Sequence, residues 1–258
     1  MKLKSMHAFP TFTLGGMVFD LAAILAITIS VIITFAVVKL LTLRLSVENP
    51  SKAQNFMEWI VDFIHSTIAS TMPLSRVKPF LGLGLTLILF IFISNLLGLP
   101  LVIVTKITEP AWGVTQAYIE SHGGYAELAW WKSPTADLSV TAGLALIVFL
   151  LVHYLGATKN TKHYFLHYVK PYPVFLPLNL IETIARPLTL ALRLFANIFA
   201  GEVLITTILM LGIAGTPFLI VWQGFSIFVG AIQAFLFTVL TMVYISQAAV
   251  HDEEEGAH

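Results

Sequence analysis

Apolar runs of membrane-spanning length dominate the chain. A helix needs about 20 apolar residues to cross the hydrocarbon core. Five segments reach that length: 17–43, 79–104, 138–157, 174–212 and 216–250. The last two exceed one perpendicular crossing, so they predict helices that tilt, bend or run partly outside the bilayer. Gly212, Gly215 and Pro217 interrupt the pattern between them and predict a tight helical hairpin. Segment 54–72 is different. Phe56, Trp59, Ile60, Phe63, Ile64, Thr67 and Ile68 follow the i, i+3, i+4, i+7 spacing of one helix face, with Glu58, Asp62 and His65 on the other side and Pro73 at the end. This predicts an amphipathic helix lying on the membrane or against the bundle. The expected fold is an all-α polytopic membrane protein with about five membrane-embedded helices plus one amphipathic helix. It ends in a long tilted hairpin, and residues 1–258 form a single membrane domain.

Composition agrees. The chain is 57% hydrophobic and only 11% charged, with a mean hydropathy of +0.87. A soluble domain carries roughly 25% charged residues, so a soluble globule is excluded. Zero net charge gives no electrostatic ground for a nucleic-acid partner. The absence of cysteine excludes disulfides, thiolate metal sites and a cysteine nucleophile. The first apolar run is too long for a signal-peptide core and lacks a clear cleavage site, so it reads as a retained helix.

Charge placement predicts orientation. With five alternating helices, Lys39, Arg44, Lys52, Arg76 and Lys78 share a side with Lys159, Lys162 and Lys170, whereas Lys2, Lys4, Lys106 and Lys132 lie opposite. The positive-inside rule puts the larger group in the cytoplasm. The N-terminus is then outside and the acidic tail from His251 to Glu255 inside. Loop 105–137 faces out, and its Trp112, Trp130 and Trp131 are expected at the membrane interface.

Chemistry concentrates in the hairpin. From Pro187 to Val250 the only charged residues are Arg193 and Glu202. A charge at bilayer depth costs ~3 kcal/mol on insertion scales, so it usually marks function. A guanidinium snorkelling to a headgroup is the plainer alternative, but Arg193 has apolar flanks on both sides. At about 100° per residue, Asn197 lies about 40° round from Arg193, and Glu202 about 180° away and ~13 Å along the axis. The two charges therefore meet different surroundings and cannot pair. Glu182 returns to the Arg193 face about three turns earlier. Folding the hairpin near residue 213 brings Gln233 to the depth of Arg193 and the stretch from Gly224 to Ser226 beside Glu202. Gln233, Gly230 and Ser226 share one face, so an amide can brace the guanidinium while small residues admit water or another helix. A carboxylate can carry a proton, whereas an arginine stays charged and acts as a barrier. Proton or sodium handling follows.

The run Arg186-Pro-Leu-Thr-Leu-Ala-Leu-Arg193-Leu-Phe-Ala-Asn197-Ile-Phe-Ala-Gly-Glu202 resembles the signature of subunit a of F-type ATP synthases. So do Ile232–Phe237 and Ser94–Pro100. The resemblance covers most of the chain, loosely in its first third and tightly in the hairpin, and it is bacterial and Bacillus-like. It implies a non-catalytic, ion-translocating subunit with no ATP site and no cofactor, in the bacterial plasma membrane among lipid. Its implied partners are the rotating c-ring and the peripheral-stalk b subunits. By position, Arg193 matches the essential arginine between two aqueous half-channels. Asn197, Glu202 and Gln233 match polar residues of the ion path, which Glu182 and Ser226 join as candidates. Ser226 stands where some relatives carry a histidine, a departure from the pattern.

Two other classes compete. An ion-coupled secondary transporter needs a substrate pocket at broken helices in two related halves, and no internal repeat is visible. A membrane metalloenzyme would use His163 and His167 at i, i+4 with His153 nearby, but no carboxylates accompany them, and no metal is assigned.

Overall fold

A computed structural model describes residues 8–99, 103–159 and 172–249. Seven helices carry it: α1 (Leu21–Leu41), α2 (Lys52–Ala69), α3 (Leu74–Gly98), the short α4 (Gln116–Ser121), α5 (Leu138–Lys159), α6 (Leu176–Leu209) and α7 (Thr216–Ala249). Among the described residues, five helical segments are long and apolar enough to cross a membrane, built on α1, α3, α5, α6 and α7. This is the polytopic α-helical architecture that the apolar runs predict. Two short antiparallel pairs are added: β1 (Thr11–Leu14) with β2 (Met17–Asp20), and β3 (Val104–Ile107) with β4 (Ala126–Ala129). His163, His167 and the acidic tail lie outside the described residues.

The first apolar run begins as a strand. Gly15 and Gly16 both take positive φ, at 60° and 81°, which a tight hairpin turn requires and glycine supplies without strain. Met17–Asp20 therefore folds back on β1. Asp20 ends the strand and caps α1 by accepting from the Ala23 N–H at 3.0 Å. The second expected span is also displaced. It starts at Leu74, tolerating Pro79 near its beginning, and stops at Gly98; Val104 already belongs to β3.

The amphipathic helix α2 exists, but its apolar arc is divided. Met57, Ile64 and Ile68 are buried against the bundle, whereas Phe56, Trp59 and Phe63 are 52%, 63% and 40% exposed and stack on one another along the outer edge. The arc is wider than one contact face, so its aromatic edge faces outward.

Helix α3 packs on α1, α2 and α7, while α5 packs on α6 and α7. The main core joins Leu87 and Ile91 of α3, Ala145 and Val148 of α5, Leu190, Ala191 and Leu194 of α6, and Ala234 and Phe237 of α7. A second core seats α2 through Ile64 and Ile68 on Val77, Met242 and Ile245. The outer faces carry large exposed apolar side chains, including Ile32, Phe35, Ile147, Leu188, Leu192, Ile220 and Phe228, as lipid contact demands.

Candidate functional site

The hairpin turns through a 3-10 segment, Gly212–Gly215. Gly215 is required there: a Cβ would stand 2.3 Å from the Ile208 carbonyl oxygen. The turn lies between Leu209 and Thr216, yet the polar contact between α6 and α7 at mid-length, Asn197 with Gln233, is centred on residue 215 rather than 213.

That offset changes one expected partnership. Asn197 Nδ2 donates to Gln233 Oε1 at 2.9 Å, and Gln233 is only 1% exposed. Gln233 therefore pairs with Asn197, one helical turn beyond Arg193, and does not brace the guanidinium. Arg193 is half-buried beside the packed Leu190, Ala191 and Leu194. Among the described residues it has no hydrogen-bond or ion-pair partner.

Glu202 faces away from Arg193, as helical geometry predicts. It lines a cavity of about 380 Å³ together with Asn95, Ser133, Asn197, Trp222 and Ser226. Its Oε1 accepts from the Ser133 backbone N–H at 3.2 Å. Ser226 Oγ is buried without a partner among the described residues. Three candidates, Asn197, Glu202 and Ser226, thus share one cavity whose lining is otherwise largely apolar, and Gln233 touches it through Asn197.

Glu182 lies apart. Its carboxylate takes Arg186 Nη2 at 2.7 Å and Nε at 3.2 Å. Arg186 also donates to Gln247 Oε1 at 2.8 Å and lies over the Tyr244 ring at 5.4 Å. This group ties the far ends of α6 and α7 together. His153 Nδ1 contacts the Phe149 carbonyl at 2.8 Å, one turn back on α5.

The loop before α5 supplies residues that sequence reasoning passed over. Lys132 Nζ bonds Asp20 at 2.6 Å and Asp137 at 2.5 Å, and lies 4.5 Å over the Phe9 ring. Burial works against the Lys132 charge, but the bonds and charges of Asp137 and Asp20 outweigh it and raise the lysine's pKa. Burial likewise works against the Asp137 charge, and Lys132 outweighs it, lowering that pKa. Trp131 is no interface anchor. It is 6% exposed and donates from Nε1 to the Leu97 carbonyl at 3.0 Å. Trp112, 50% exposed, meets Trp130 edge to face at 5.4 Å. The available signal was the polar run Lys132-Ser133-Pro134-Thr135-Ala136-Asp137, set directly before a span and facing a span that carries Asn95.

Comparison with known proteins bears on this arrangement. The family model described as ATP synthase A chain matches residues 23–246. The ATP synthase subunit a of Bacillus velezensis is 44% identical over 262 residues, covering 95% of this chain and 99% of that protein. That of Bacillus subtilis strain 168 is also 44% identical, over 263 residues, with the same coverage. That of Listeria welshimeri is 42% identical over 255 residues, covering 95% and 98%.

Proposed function

The chain belongs to the ATP synthase A chain family, and from that premise we propose that its hairpin divides an ion path into two half-channels beside a c-ring. Arg193 is the divider. One observation carries this reading: Arg193 stands without a partner among the described residues on one side of α6, while Glu202 stands on the other in a cavity that also holds Asn95, Asn197 and Ser226. An arginine cannot give up its proton at biological pH, so it blocks direct passage and attracts a ring carboxylate. Exposed apolar side chains on α6, Leu188, Leu192 and Phe199, flank it and suit a ring surface that must slide past.

The cavity of Glu202, Asn197 and Ser226 forms the outer half-channel. Protons enter it from outside, rest on Glu202 and pass by polar groups and water to the ring. The N-terminus and loop 105–137 are outside and the C-terminus is cytoplasmic, in a bacterial cell membrane. The complex includes the peripheral-stalk b subunits.

Replacing Arg193 with Gln tests the reading. ATP-driven proton pumping in inverted vesicles should be lost while the subunit still co-purifies with the c-ring. Normal pumping by that variant would overturn the assignment.

A further inference from the structure

Glu202 is held by a backbone amide that comes from outside the long helices. Residues 131–137 descend from the outer loop into the top of the bundle and are bonded along their length. Ser133 Oγ lies 3.2 Å from the Ser94 carbonyl and 2.9 Å from Thr135 Oγ1, with one proton to donate to either. Thr135 Oγ1 donates to Asn95 Oδ1 at 2.5 Å, and Asn95 Nδ2 donates to the Gly230 carbonyl of α7 at 3.0 Å. Ser133 and Thr135 are wholly buried. These bonds aim the Ser133 N–H at Glu202 Oε1, 3.2 Å away.

Two glycines make the approach possible. A Cβ on Gly98 would stand 2.3 Å from Ser133 Cβ, 2.8 Å from its Oγ and 3.0 Å from its Cα. A Cβ on Gly230 would stand 3.1 Å from Asn95 Cβ. On the other flank, Lys132 is tied to Asp20 before α1 and to Asp137 before α5. The segment is therefore bonded directly to α3 and α6, through Asn95 to α7, and by its own ion triad.

We propose that residues 131–137 form a seat for the Glu202 side chain, with the Ser133 N–H as the positioning group and Gly98 and Lys132 keeping the seat in register. The proposal rests on Glu202 acting in the outer half-channel. A hydrogen bond to a carboxylate is stronger than a neutral one. It fixes one rotamer, and with it the distance a proton must cross. Glu202 then needs no side-chain partner on α7, which accounts for a serine at position 226.

The backbone offers a sharp test. Ser133 has φ −60° and ψ 131°, which a proline ring accepts. Ser133→Pro removes the N–H without opposing that backbone, whereas Ser133→Ala removes only the hydroxyl bonds. ATP-driven pumping by the assembled complex, per subunit in the membrane, should fall about tenfold for Ser133→Pro and about twofold for Ser133→Ala, since a bond to a charged group outweighs neutral ones. Gly98→Ala should behave like Ser133→Pro. Adding Ser133→Gly, which keeps the N–H and removes Cβ and Oγ from the clash, should restore most of the loss. Equal pumping by the Ala and Pro variants overturns the seat. So does a Gly98→Ala defect that Ser133→Gly leaves untouched, and this pair decides the matter if Ser133→Pro does not assemble. Arg193→Gln in the same vesicles separates the two failures. Normal pumping by it overturns the half-channel reading, whereas a dead Arg193→Gln beside indifferent Ser133 variants overturns only the seat.

Discussion

The Asn197–Gln233 bond makes the two amides one unit and leaves Arg193 outside it. Interhelical hydrogen bonds inside membrane bundles average about 0.6 kcal/mol and reach about 1.7, so either partner alone should matter moderately. Asn197→Leu and Gln233→Leu should each reduce proton pumping, less than Arg193→Gln does. The double variant should be no worse than the worse single one. Additive losses in that double-mutant cycle would show that the pair does not act as a unit. The candidate residues themselves were legible in the sequence, because two charges among 64 mostly apolar positions from Pro187 to Val250 stand out. Their faces were legible too, since 100° per residue is fixed by the helix. The partnership was not. It depends on how the two helices pack beyond the turn, and the observed contact is centred about two residues later than the turn itself, enough to exchange Arg193 for Asn197. The polar run holding Ser133 and Lys132 was visible before α5, but their roles were not legible, for another reason. Each takes its role from a fold in the loop that no periodicity encodes.

At the scale of elements, α6 and α7 have 34 residues each, about 51 Å at 1.5 Å per residue. That exceeds the roughly 30 Å hydrocarbon core, so both must tilt or project, as their apolar length predicts. One end is closed by the glycine turn and the other by Arg186 reaching Glu182 and Gln247. Along α6, Arg193 precedes Glu202, so with the Arg186 end in the cytoplasm Glu202 lies nearer the outside. A cysteine at position 202, in a chain that has none, should react with a membrane-impermeant thiol reagent added outside. Reaction only from the cytoplasmic side would reverse the orientation. The long helices were readable because length and apolarity alone decide a span. The start of α1 was not, since Met17–Phe19 is as apolar as the helix that follows, and only Gly15 and Gly16 marked the turn. In α2 the periodicity located the helix but not which edge of its arc would be buried.

The whole molecule is closed on one side by a small cap. Ala8 joins the β3–β4 pair through 2.8 Å backbone bonds to Glu127 and Ala129, and Thr11 bonds the Trp112 carbonyl at 2.9 Å. Lys132 links this cap to the starts of α1 and α5 through Asp20 and Asp137. Two shifted groups make that link depend on pH from both sides. Asp137 is lowered from 3.8, so its contribution is complete above that value and is lost as pH falls through the lower folded one. Lys132 is raised from 10.5, so its contribution is complete below that value and is lost as pH rises through the higher folded one. The cap should stay docked between these limits and loosen beyond each. Trp131, buried in the docked segment, reports the change if it is kept as the sole tryptophan, its emission shifting red on undocking. Lys132→Met supplies the decisive contrast. It leaves Asp137 buried without its cation, and a buried carboxylate so placed favours the neutral form. Docking of that variant should therefore strengthen as pH falls, opposite to the parent. A Lys132→Met variant that undocks in acid just as the parent does would show that the ion triad is not what fastens the cap to the bundle.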